Sequence, residues 1–145
     1  MEVMNMQSNT SDLLPDIRHT FELDASILTV WQAVTTSEML AQWLMPNDLQ
    51  LTLGHTFNFR SQPMGDWDGV IQCKLTELEP PNRISFSWSA MNMNHHVSFV
   101  LNEKDGKTQF TLVHSGWSQP SAMFRGIMDE GWVKNVEQLK TLIKA

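Results

Sequence analysis

The side chains of this 145-residue sequence that could do chemistry are five histidines, one cysteine and a few closely spaced carboxylates. His114 and Ser115, in the segment HSGW, set an imidazole beside a hydroxyl, two parts of a nucleophilic centre. Adjacent residues of a strand point to opposite faces, however, so the two do not share a hydrogen bond while the strand continues. No GxSxG turn surrounds the serine. The segment reads instead as a strand end that turns at Gly116, with Trp117 as a plug or pocket rim. His95-His96 resembles a metal handle, and the same alternation separates its rings. A zinc site needs more ligands converging than these, and Cys73 shares a strand face with Ile71 and Leu75, where it reads as a small buried apolar group.

Asp66 and Asp68 flank Trp67 in a turn, and Glu77 and Glu79 share one side of a strand. Acid-base catalysis requires an enclosed pair whose pKa values are driven apart, and a loop or an exposed strand face supplies no enclosure. These carboxylates read as solvated charge. His19, His55 and His114 have two readings, polar anchors inside a pocket or hydrogen-bonded structural residues. Arg125, near the start of the last helical stretch, is either an anion anchor at a cavity mouth or an exposed cation.

The elements that position these groups follow from hydrophobic period. Residues 17–23 alternate Ile17, His19, Phe21 and Leu23 against Arg18, Thr20 and Glu22, the mark of a first strand. Asp24 and Ser26 offer caps for a short helix to about Val34, with Leu28, Trp31 and Val34 at helical spacing. A second short helix runs from Ser37 to Met45 with Met39, Leu40, Trp43 and Leu44 as its stripe, and Pro46 ends it. From Leu49 to Val113 the period is two: Phe57 and Phe59, then Ile71, Cys73 and Leu75, then Ile84, Phe86 and Trp88, then Val97, Phe99 and Leu101, then Phe110 and Leu112. Asp105-Gly106 is a hairpin signal. Residues 123–143 return to helix, with Met128, Trp132, Val136, Leu139 and Ile143 on one face. The class is α+β, and the last helix needs the aromatic side of the antiparallel sheet as its cover.

The segments from Ile27 to Pro46, Leu75 to Ser89, Thr111 to Trp117 and Gly131 to Ile143, in this order and spacing, resemble the SRPBCC, or START-like, superfamily. Within it they resemble the branch named for the activator of the ninety-kilodalton heat-shock protein ATPase. The resemblance runs from about residue 16 to the C-terminus. It departs at Leu53-Gly54-His55, where the family often has a Gly-Gly turn, and at Trp43-Leu44, where it often has paired tryptophans; both bear on pocket shape. It implies a helix-grip fold, a curved antiparallel sheet wrapped around a long C-terminal helix, with an internal cavity used for lipids, polyketides and other apolar molecules. Trp43, Phe57, Phe59, Phe86, Trp88, Trp117, Met128 and Trp132 are the expected ligand-binding wall; the same aromatics otherwise make a solid core.

Composition bounds the function. At this length roughly 70% of the unfolded chain's surface can be buried, enough for one core. Residues 1–15 read as a flexible tail ahead of a single domain over 16–145. A net charge of −6, with ten Lys and Arg that do not cluster, argues against nucleic-acid partners and against membrane-surface attraction. The opening segment lacks a signal-peptide pattern, and one cysteine allows no internal disulfide, so the expected location is cytoplasmic. The expectation is a non-enzymatic domain, without a metal or other cofactor, that binds a small apolar or amphipathic molecule, with a link to stress response. The alternative is a protein that modulates a chaperone through its outer surface. An enzyme of the cyclase or hydratase kind comes third.

Overall fold

The structure is a computed structural model and describes residues 13–144. Most of the expected N-terminal tail therefore lies outside the described residues. The period-two segments become six strands: β1 (Ile17–Leu23), β2 (Thr56–Arg60), β3 (Val70–Glu79), β4 (Arg83–Ala90), β5 (Met93–Lys104) and β6 (Lys107–Ser115). They form one antiparallel sheet in the order β1-β6-β5-β4-β3-β2. Consecutive strands from β3 to β6 are neighbours through connections of two or three residues, and β2 pairs with β3 across the longer loop 61–69. β1 closes the other edge, with Ile17 opposite His114.

Three helical segments cover one side: α1 (Ile27–Thr35), α2 (Ser37–Trp43) and α3 (Ala122–Lys144), the last entered through a 3-10 turn at Gln119–Ser121. Ser26 caps α1, its Oγ accepting the Thr29 N–H at 3.3 Å. The expected stripe of α1 is partly corrected. Trp31 and Val34 are buried with Val30 and Ala33, whereas Leu28 is 64% exposed. Residues two apart on a helix lie about 200° apart, so turning Val30 inward turns Leu28 outward. The second helix ends at Trp43 rather than Met45, because Leu44 leaves helical geometry before Pro46 is reached.

α3 is an amphipathic helix lying across the curved sheet, which is the helix-grip arrangement. Trp132, Val136 and Leu139 are buried, with Met128 and Ile143 half-buried towards the helix ends. The Trp132 ring touches three strands, its centroid 5.7 Å from Trp88 on β4, 6.1 Å from Phe99 on β5 and 6.0 Å from His114 on β6. Below it Trp43, Phe57, Phe59, Phe86, Phe99 and Phe110 form a continuous set of tilted and edge-on rings, with neighbouring centroids 5.4–6.4 Å apart. Polar ties fix the helix at its margins. His19 Nε2 lies 2.6 Å from Asp129 Oδ1, and the Arg125 guanidinium donates to the Pro15 and Asp16 carbonyls at 2.9 and 3.3 Å. The Leu14 N–H donates to the Trp117 carbonyl, so the chain ahead of β1 is held against the start of α3.

Two hairpin tips have paired left-handed residues. At Asp105-Gly106 the φ angles are +55° and +79°, which suits both residue types. At Met91-Asn92, between Ala90 and Met93, they are +50° and +64°. A left-handed methionine costs roughly 1 kcal/mol, because its Cβ crowds the following carbonyl oxygen. Met91→Asn is therefore expected to stabilise the fold by about 0.5–1 kcal/mol in thermal or urea unfolding followed by circular dichroism; an unchanged or lowered midpoint would show that Met91's apolar contacts outweigh its backbone cost.

Candidate functional site

Alternation carries two imidazoles onto the apolar face of the sheet. On β5 the inward series is His95, Val97, Phe99 and Leu101, and on β6 it is Phe110, Leu112 and His114. Because His114 pairs with Val97, its ring meets that of His95 diagonally across the two strands. His95 Nδ1 and His114 Nε2 are 2.9 Å apart, and Trp132 Nε1 lies 3.1 Å from His114 Nδ1. His114 is fully buried and His95 is 5% exposed. The Trp117 ring packs on both, 4.2 Å from His95 and 4.7 Å from His114, while its Nε1 donates to the His114 carbonyl.

Donor and acceptor capacity orders this chain in one direction. An indole nitrogen only donates, so His114 Nδ1 accepts, and a neutral His114 carries its proton on Nε2. That proton points at His95 Nδ1, which must accept it, leaving the His95 proton on Nε2. Burial favours the neutral forms. It pushes His114 from its ordinary 6.5 down to about 3, with neighbouring His95 adding to the effect, and burial also lowers His95.

Above the pair opens a cleft of about 380 Å³ between the β4–β5 tip and the start of α3, with Met91, Met93, Pro120 and Phe124 on its walls and His95 and Gly116 among its lining residues. Gly116 has φ +105°, and a Cβ there would stand 2.9 Å from the Asn94 carbonyl oxygen and from His95 Cδ2. The absence of a side chain lets the end of β6 pass the edge of the His95 ring. A larger depression, about 760 Å³, lies over β1, β5 and β6, but its lining is mostly polar and charged, including Glu22, Glu103, Lys104, Asp105 and Lys107, with Phe21 its one aromatic side chain.

Of the expected wall, Trp88, Trp117 and Trp132 surround the histidine pair. Trp43, Phe57, Phe59 and Phe86 lie deeper among the packed rings, and Met128 sits half-buried one turn before Trp132. His114 and Ser115 do point to opposite faces, the Ser115 hydroxyl donating to the His96 carbonyl at 3.4 Å. His95 and His96 diverge likewise, His96 Nε2 meeting Thr76 Oγ1 on the outer side. Arg125 binds backbone carbonyls, His19 meets Asp129, and His55 stacks on Phe57. Cys73 is buried, and burial pushes its thiol pKa upward. Among the described residues no three His, Cys, Asp or Glu side chains gather into a metal site. Sequence reasoning missed the His95–His114 pair, although extending the β5 alternation back two residues from Val97 places His95 on the inner face.

A six-stranded antiparallel sheet gripping a long helix, with an aromatic interior between them, defines a helix-grip domain of the SRPBCC, or START-like, class. Residues 24–144 match the family described as activator of Hsp90 ATPase homolog 1-like protein, and the chain belongs to that family. The solution structure of a Bacillus halodurans protein is 38% identical, with 91% of this chain and 99% of that one covered and a TM-score of 0.79. A Mesorhizobium loti protein is similar at 24% identity, 90% and 97% coverage and a TM-score of 0.82. The Aha1 dimer from Colwellia psychrerythraea is similar in fold at 23% identity, 90% and 96% coverage and a TM-score of 0.77. No curated relative matches the chain.

The lowered histidines set a pH dependence. As pH falls below 6.5 the unfolded chain takes up protons that folded His114 refuses until about pH 3. Its contribution is thus fully present above the unfolded pKa and is lost on acidification, at up to about 1.4 kcal/mol per pH unit between those limits. The rings packed on the pair, Trp88, Trp117 and Trp132, do not titrate and cannot offset this. His114→Gln keeps an acceptor for Trp132 and should flatten the fall in urea-unfolding free energy between pH 6.5 and 4.5; equal slopes in the two proteins would refute the burial account.

Proposed function

We propose that this domain binds a small apolar or amphipathic molecule, taken in between sheet and α3 through the cleft beside the β4–β5 tip. The observation that carries this reading is the meeting of an open cleft with apolar walls and the aromatic column running inward from Trp117. Met91, Met93 and Phe124 would contact the molecule first. Trp117, Trp88, Trp132 and Met128 would be the near wall, and Phe86, Phe59, Phe57 and Trp43 the deeper wall, reached by displacement of side chains that pack on one another in this structure. Methionine at the lip suits such a role, because its flexible thioether adapts to differently shaped apolar surfaces. The binding unit is residues 16–145, and a cytoplasmic setting, in which Cys73 stays a thiol, fits the reading. No helix among the described residues is long and apolar enough to cross a membrane.

Binding is favoured over catalysis. The histidine pair is committed to a hydrogen-bonded series that ends on Trp132, and the Ser115 hydroxyl is turned away to the His96 carbonyl. A panel of fatty acids and aromatic polyketides is expected to contain members that raise the melting temperature and alter indole emission, as linkage requires of any ligand specific to the folded state. A panel that moves neither signal would remove the main support. Membership of the family and the exposed Met123 and Ile127, one turn apart on α3, favour a second reading, modulation of a chaperone through the outer surface. On that reading the protein changes a chaperone's ATP turnover, and Met123→Lys with Ile127→Lys abolishes the change; a turnover assay without effect would eliminate it.

A further inference from the structure

Besides its apolar walls the cleft has polar lining residues at Asn92, Asn94, His95, Ser118 and Ser121; Ser118 and Ser121 bond to each other, and Asn94 Oδ1 accepts from Ser89. Its lining residues include no Lys, Arg, Asp or Glu. At its floor stands His95, a residue 5% exposed whose Nδ1 is committed to His114. The opposite ring nitrogen, Nε2, has no hydrogen-bond partner among the described residues, and no fully buried side-chain nitrogen or oxygen among them is left unsatisfied. His95 is among the residues that line the cleft, and Nε2 lies on the ring edge whose Cδ2 abuts the bare Gly116.

We infer that His95 Nε2 presents a fixed N–H donor to this cleft, so that the molecule bound there is an apolar body carrying an oxygen acceptor, a carbonyl or carboxylate. The inference rests on the ligand-binding reading above and adds the polarity of the ligand to it. Its basis is the one-way order of the series. For His95 Nε2 to accept a proton from a ligand, the His95 proton would have to sit on Nδ1, facing the Nε2–H of His114 at a heavy-atom separation of 2.9 Å. Reversing His114 as well would set its Nδ1–H against the Trp132 N–H, and an indole has no acceptor to offer. Trp132 thus dictates, through two imidazoles, which kind of group is accepted at the surface. A ligand ammonium, which can only donate, meets a donor, and a hydrocarbon leaves the N–H unpaired as it excludes water from it.

The test uses the wild-type protein at pH 7 with four probes built on one ring system and, where substituted, at the same position: 2-acetonaphthone, 2-naphthoate, naphthalene and 2-naphthylmethylamine, the last an ammonium at that pH. Long-range ¹H–¹⁵N spectra of the histidine side chains in the free protein are expected to show His95 and His114 both neutral and both protonated at Nε2. Adding 2-acetonaphthone or 2-naphthoate should shift His95 Nε2, and both should bind about tenfold or more tightly than naphthalene, the worth of one buried hydrogen bond, with the amine weaker still. His95→Phe should erase the preference for the ketone over the hydrocarbon. A proton found on His95 Nδ1, or equal affinity for ketone and naphthalene, overturns the inference and leaves the binding reading intact. Failure of all four probes to bind counts against the binding reading itself, and the inference falls with it. Because the tautomers are read in the unmodified protein, a variant that does not fold cannot decide the outcome.

Discussion

The Trp132 indole is the interaction on which the rest of this structure depends. Dispersion and exclusion of water draw any apolar helix face to any apolar sheet face, and neither force specifies an arrangement. Trp132 supplies what they lack, because one side chain meets rings from β4, β5 and β6 and places its N–H on His114. Sheet curvature, helix position and the tautomers of two histidines thereby become a single solution. The His19–Asp129 and Arg125 contacts reinforce it from the margins, where solvent weakens what such contacts contribute.

Polar groups inside this molecule are handled by pairing. The Trp43 N–H finds the Ala33 carbonyl, the Trp117 N–H the His114 carbonyl, and the Ser85 and Ser98 hydroxyls each other at 2.8 Å. A buried polar group left alone costs about 1–3 kcal/mol, so an interior this rich in indoles and imidazoles is tolerable only when nearly every donor is answered. Against that background the free edge of His95 stands out. It is the place where the internal hydrogen-bond series meets solvent, and it lies where the apolar walls part.

Much of the fold was legible in the sequence because period-two and helical spacings are imposed by geometry before any tertiary contact forms. β1 runs over the residues whose alternation announced it, and Asp105-Gly106 turns as its residue types require. The faces of short helices were less legible: Leu28 matches Trp31 in spacing, yet which of two apolar arcs turns inward depends on what lies beneath, a tertiary fact. Ser85 teaches the same lesson, since it alternates with core residues and is nevertheless fully buried, satisfied by Ser98 across the strand pair. The tryptophans of the candidate site could be read as inward-facing, whereas the histidine pair could not. Its partners come from β5, β6 and α3, and that convergence depends on a strand register and a helix placement that no local pattern encodes.

Sliding α3 by one turn, about 5.4 Å, would bring Met128 or Val136 to the place of Trp132, another apolar side chain but a smaller one. Hydrophobic contact opposes such a slip through the lost ring packing, and the hydrogen bond opposes it through geometry. A slipped helix would leave the fully buried imidazole of His114 without its indole donor. That one directional bond therefore serves as a registration mark: it adds little to the total cohesion of the protein, yet only the correctly seated helix can make it.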